Sequence, residues 1–229
     1  PMGLALTNDG LLVCCLSDPS AALYKFAQNG SMDELAAVPA LADYGEGFKR
    51  CAVHQQTQRT YALREIDEGD HALVLFDANL QAIGTVEATG DVPEDFSHEE
   101  DYEPICDVAV HGDQVIVLAG NQHPKGSGLR LLDLDGRFLR TIAAGQFRKP
   151  HVVTASRGRA FVVDDFIDDD DELGSMLHVI DIQSGDILQS VGFELKCAAS
   201  AILVDGNNIY IASFYASDVV VLQLAGSEA

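Results

Sequence analysis

The chain has 229 residues, with 14 Lys and Arg against 36 Asp and Glu, a formal charge of −22. A surface this acidic repels phosphate, so neither nucleic acid nor an anionic membrane is expected as the main partner. With 47% apolar and 22% charged residues and a mean hydropathy of +0.08, the composition suits a packed core. No apolar run reaches the roughly 18 residues of a membrane-spanning helix, and a soluble chain without membrane insertion is expected.

Short apolar segments follow one another along the chain. In the first unit, residues 4–6 turn through Asp9-Gly10 into 11–13, then 23–26 turns at Asn29-Gly30, and 32–41 reads as a helical turn or a fourth strand. The second unit has 51–53, 61–63, 73–77 and 83–86. In the third, 108–110 passes through His111-Gly112-Asp113 into 115–117, and 129–133 turns through Asp135-Gly136 into 138–142. The fourth has 152–153, 161–163, then 177–181 turning through Ser184-Gly185 into 187–191. The fifth has 202–204, Asp205-Gly206, 209–211 and 219–224. Asp-Gly and Ser-Gly tolerate the positive φ of tight turns, so these are hairpins. The second strands centre on Leu12, Tyr61, Ile116, Phe161 and Tyr210, at spacings of 49, 55, 45 and 49. Four strands repeated at this period are the signature of a β-propeller blade. One such sheet buries too little to stand alone, so the blades must stack. The expected fold is all-β: one propeller domain over 1–229, with blades at about 1–47, 48–103, 104–149, 150–196 and 197–229.

Pro1-Met2-Gly3-Leu4-Ala5-Leu6, residues 104–110 and Pro150-His151-Val152-Val153 resemble the start of NHL-repeat blades, which open on a proline, a small residue and an apolar strand. Phe161-Val162-Val163-Asp164 is similar to that family's second strand with its terminal aspartate, and 177–185 to its third strand and turn. The resemblance covers all five units and implies a propeller of the kind that usually has six blades. Related propellers include lactonases and amidating lyases, but no metal-binding or catalytic position of theirs carries over to this sequence. The fifth unit stops after its third strand, so the missing strand, or a whole sixth blade, is expected upstream of residue 1 in a longer polypeptide or assembly.

Antiparallel blades send the second-to-third-strand loops and the blade-to-blade loops to one face. These are 17–21, 41–50, 64–72, 89–105, 120–128, 145–150, 164–175, 193–198 and 213–218. Their 80 residues hold 23 acidic and 7 basic side chains, a net of −16. Two loops dominate, one with Asp91, Glu94, Asp95, Glu99, Glu100, Asp101 and Glu103, the other with Asp164, Asp165, Asp168, Asp169, Asp170, Asp171 and Glu172. Loops of this length are solvated insertions or functional. The functional reading is a recognition face for a basic protein or peptide, with calcium as the cofactor that clustered carboxylates admit. The EF-hand pattern fails, because its required glycine, counted from Asp168, falls at Leu173.

Aligning the blades stacks Met2, Cys51, Cys106, His151 and Ser200 at the starts of the first strands. Cys51, Cys106 and His151 are the candidate metal ligands at the channel mouth, with small packing side chains as the alternative. His54, His111 and His178 have no acidic partner at useful spacing and read as structural or solvated. No nucleophile elbow, Cys-x-x-Cys or phosphate loop is present. Five cysteines, two of them adjacent at Cys14 and Cys15, disfavour a disulfide framework and favour a reducing, cytoplasmic compartment, although Asn29-Gly30-Ser31 is a glycosylation sequon. The expected function is a non-catalytic interaction module. The alternative is a metal-dependent propeller enzyme, a hydrolase or lyase with its site at the axial channel.

Overall fold

The computed structural model describes residues 3–14, 23–27, 34–38, 47–67, 70–87, 105–120, 127–167, 173–195, 198–213 and 218–224. All regular structure among them is β-strand, in four four-stranded sheets and one three-stranded sheet, every strand neighbouring its successor in sequence. These are the five blades of a β-propeller. The chain parts into two compact units, Pro1–Val117 with Arg130–Arg140, and Leu118–Leu129 with Thr141–Ala229.

In the first unit, blade 1 comprises β1 (Gly3–Leu6), β2 (Gly10–Cys14), β3 (Leu23–Ala27) and β4 (Glu34–Val38). The segment that sequence left between helix and strand is therefore a strand. Strand alternation puts Leu12, Cys14 and Leu23 on the buried face, packed with Phe48, Ala62, Val74 and Phe76 of blade 2. Gly10 is required by close approach, since a Cβ there would run into the carbonyl oxygen of Phe26. Blade 2 follows as β5 (Phe48–His54), β6 (Arg59–Asp67), β7 (Asp70–Phe76) and β8 (Ala82–Glu87). The Phe48 and Phe76 rings meet edge to face at 5.7 Å. Its other face joins Tyr61, Leu63, Leu73 and Leu75 to Ile105, Val108, Val115, Val117 and Leu132, and the Tyr61 hydroxyl donates to the Leu134 carbonyl at 2.8 Å.

Blade 3 comprises β9 (Asp107–His111), β10 (Gln114–Ala119), β11 (Gly128–Asp133) and β12 (Phe138–Ile142), and supplies residues to both units. The third-to-fourth-strand turns of blades 2 to 4 share one device, an aspartate closing the third strand. Asp77 Oδ1 accepts from the N–H of Asn79 and Gln81, Asp133 Oδ1 from Asp135 and Arg137, and Asp181 Oδ1 from Ser184. A carboxylate that satisfies turn N–H groups makes the turn a local property of the sequence. Gly136 and Gly185 then take φ of +84°.

The second unit holds blade 4, β13 (Lys149–Ser156), β14 (Arg159–Ile167), β15 (Leu173–Asp181) and β16 (Ile187–Phe193), and blade 5, β17 (Ala199–Asp205), β18 (Asn208–Ser213) and β19 (Val219–Gln223). Val152, Phe161, Val163, Leu177 and Val179 pack with Leu195, Ala199, Ile209 and Ile211. β14 and β15 stay paired as far as Ile167 opposite Leu173, so the loop expected over 164–175 contracts to 168–172. Three first strands carry a bulge, which skips Lys49 in β5, His151 in β13 and Ser200 in β17.

Candidate functional site

The residues that sequence singles out converge in blade 4. Asp164 and Asp165 are consecutive on β14, so their side chains leave opposite faces of the sheet, and each meets a histidine. Both carboxylates are buried, at 4% and 1% exposure, and are therefore not displayed on an acidic surface as the sequence reading expects. The reason is that the strand continues through them. The other acidic candidates, Asp91, Glu94, Asp95, Glu99, Glu100, Asp101, Glu103, Asp168, Asp169, Asp170, Asp171 and Glu172, lie outside the described residues.

Asp164 is a clamp. The Arg148 N–H donates to both of its oxygens at 3.0 and 2.9 Å, and the Lys149 N–H to Oδ1 at 2.6 Å, pinning the start of β13. His178 Nε2 lies 3.6 Å from Asp164 Oδ2, its Nδ1 is 2.8 Å from Ser190 Oγ, and its ring packs on Phe147 at 5.5 Å between centroids. Ser127 Oγ donates to the Phe147 carbonyl at 2.8 Å. The acidic partner that sequence spacing did not supply for His178 comes from the neighbouring strand. For His54 it comes from the next blade, its Nε2 lying 4.0 Å from Oδ1 of Asp113 in the turn between β9 and β10.

Asp165 is held differently. Ser175, opposite it in register, donates its hydroxyl to Oδ1 at 2.7 Å, while Oδ2 faces His151 Nε2 at 3.1 Å. His151 reaches this position because it is the skipped residue of the bulge, and bulges redirect side chains. Strand register corrects the expected ring of strand starts, because the turn between β5 and β6, 55–58, is two residues longer than its counterparts in blades 4 and 5. The structural counterparts of His151 are Lys49 and Ser200. Cys51 sits two residues further along β5, paired with Ala62 and packed in the core with Phe48 and Val53. Cys106 is partly buried and forms no disulfide, and Met2 lies outside the described residues. Among the described residues, no group of three or more His, Cys, Asp or Glu side chains is placed to hold a metal ion.

No family model matches the chain, and no curated protein matches it. Solved structures do. A structural genomics protein of unknown function from Bacteroides thetaiotaomicron matches with a TM-score of 0.59 at 12% identity, over 94% of this chain and 57% of that one. The Dos1 propeller matches at 0.51 and 9% identity, over 90% and 50%. Apo AztD from Citrobacter koseri matches at 0.50 and 13% identity, over 84% and 47%. The likeness is one of fold. At these identities it carries no activity across, and the chain spans about half the length of these neighbours.

Proposed function

We propose that the chain is a β-propeller interaction module whose acidic loops receive a basic protein or peptide, and that the same carboxylates admit calcium. The observation that carries this reading is the concentration of charge in the sequence, a net −16 on the 80 residues expected at one face of a chain whose total is −22, from which buried Asp164 and Asp165 are to be subtracted. The strand framework supports it. β14 and β15 remain in register to Ile167 and Leu173, so the five residues between them, all acidic, join the ends of a paired hairpin rooted in buried Asp164 and Asp165. Rigid blades that display variable loops are a common way for a propeller to bind.

The test replaces Asp168, Asp169, Asp170 and Asp171 with Asn and follows association with poly-L-lysine by stopped flow. The variant is expected to associate about tenfold more slowly and to show a flatter salt dependence, with its unfolding midpoint kept. Unchanged rates and salt dependence would make the loop a solvated insertion and overturn the proposal.

A further inference from the structure

We infer that blade 4 also carries an acid–base site, in which His151 is the proton-accepting group for a hydroxyl-bearing small molecule or water, and Asp165 and Ser175 are its positioning residues. The inference is independent of the acidic loops. It begins with an imbalance between two adjacent carboxylates. Asp164 receives two backbone N–H donors and works as a structural clamp. Asp165, more deeply buried, has a single finished hydrogen bond, from Ser175. Its Oδ2 and His151 Nε2 are both buried, face each other at 3.1 Å, and have no hydrogen-bond partner of good alignment among the described residues. A carboxylate offers about four acceptor positions, and leaving them unfilled in the interior costs free energy without a structural return.

Such a contact is what an acid–base pair looks like before its ligand arrives, because catalytic hydrogen bonds are often loose in the free state and tighten on binding. Ser175 fixes Asp165, Asp165 draws Nε2 inward, and the bulge presents the ring at the strand start with a quarter of the side chain in solvent. Once Nε2–H engages Asp165, the remaining lone pair is on Nδ1, the other ring nitrogen. In the step proposed, the O–H bond of the ligand breaks, its proton forms the Nδ1–H bond, and the electron pair stays on the ligand oxygen. The positive charge gained by the ring is held by Asp165, Nε2 keeps its hydrogen, and the Nδ1 proton is returned to the product or to water. A proton asks for one lone pair and an orienting carboxylate.

The direct test is the tautomer. Long-range proton–nitrogen NMR of the 15N-labelled chain, with the His151 signals identified by their loss in His151→Gln, is expected to show hydrogen on Nε2 and a bare Nδ1. In Asp165→Asn that preference should be lost while the His178 signals stay in place, which a merely structural role would not produce. A hydrogen on Nδ1, or a tautomer unaffected by Asp165→Asn, overturns the inference. Should Asp165→Asn fail to fold, Ser175→Ala is the milder variant, and the same loss of preference is expected from it. With p-nitrophenyl acetate as the probe, water gives its proton to Nδ1 as its oxygen bonds to the acetyl carbon, the aryl ester C–O bond breaks, and acetate and p-nitrophenolate leave. Seven equivalent histidines would each carry a seventh of the hydrolysis. His151→Gln is expected to remove most of it and Asp165→Asn to slow it about tenfold. A loss of one seventh or less on His151→Gln contradicts the proposal.

Discussion

Replacing Asp164 by Ala removes the acceptor of two backbone N–H groups, from Arg148 and Lys149, and the carboxylate beside His178. Hydrogen bonds to a charged group contribute about 1.5–3 kcal/mol each, so two of them set an upper bound of about 6 kcal/mol. Arg148 and Lys149 are exposed, and water can rehydrate part of what is lost, which brings the expected cost down to about 3 kcal/mol. Against a typical domain stability of about 5–15 kcal/mol that is a large fraction. Asp164→Asn keeps one oxygen acceptor and gives up the charge, so about half the loss is expected. Urea unfolding of the three proteins gives the values, and amide hydrogen exchange at Lys149, protected in the parent, should accelerate first in the Ala variant. A loss below about 1 kcal/mol for Asp164→Ala would show that the start of β13 is held by its apolar packing, and the clamp assigned to Asp164 would be wrong.

Gly136→Ala forces a side chain onto a φ of +84° and drives its Cβ into Val86. A loss of about 1–3 kcal/mol in urea unfolding is expected, and a neutral result would mean that the Asp133 turn yields freely. Asp9, Asp135 and Asp181 are held below the ordinary carboxylate range, chiefly by hydrogen bonds from Lys25, Arg59 and the Ser184 N–H respectively. Because the folded values are depressed, the stabilisation is present above the unfolded value of about 3.9 and disappears as pH falls through the folded values. The stability gap between the parent and the triple Asn variant should therefore close as pH falls below the unfolded value of about 3.9 and on through the folded values, and a gap independent of pH would contradict the assignment.

The blades were legible because each rests on local chemistry. Asp135-Gly136 and Ser184-Gly185 announce their turns, and runs such as 115–117 and 161–163 are apolar on both sides, as strands buried on both faces must be. Register was legible only up to an irregularity. Counting residues from the second strands places Cys51 beside His151, but the turn between β5 and β6 holds four residues, 55–58, where that between β13 and β14 holds two, 157–158, so the count runs two residues out and the counterpart is Lys49. Asp164 and Asp165 misled for a related reason. Read with Asp168 to Glu172 they form one acidic loop, whereas pairing with β15 carries β14 four residues past Val163 and takes both carboxylates inside. The His178 and His54 partners come from other strands or blades, and a linear sequence shows such proximity only once the strand register is known.

Recruitment of a basic partner by the charge of the acidic loops is tested by the association rate of the unmodified chain with poly-L-lysine as a function of ionic strength. The Debye length shrinks from about 30 Å at 0.01 M to about 8 Å at 0.15 M, so a field summed over many carboxylates should fade over that range. A rate falling by about one to two orders of magnitude is the predicted result. A rate that stays flat from 0.01 to 0.15 M salt, about the range of those Debye lengths, would contradict the claim.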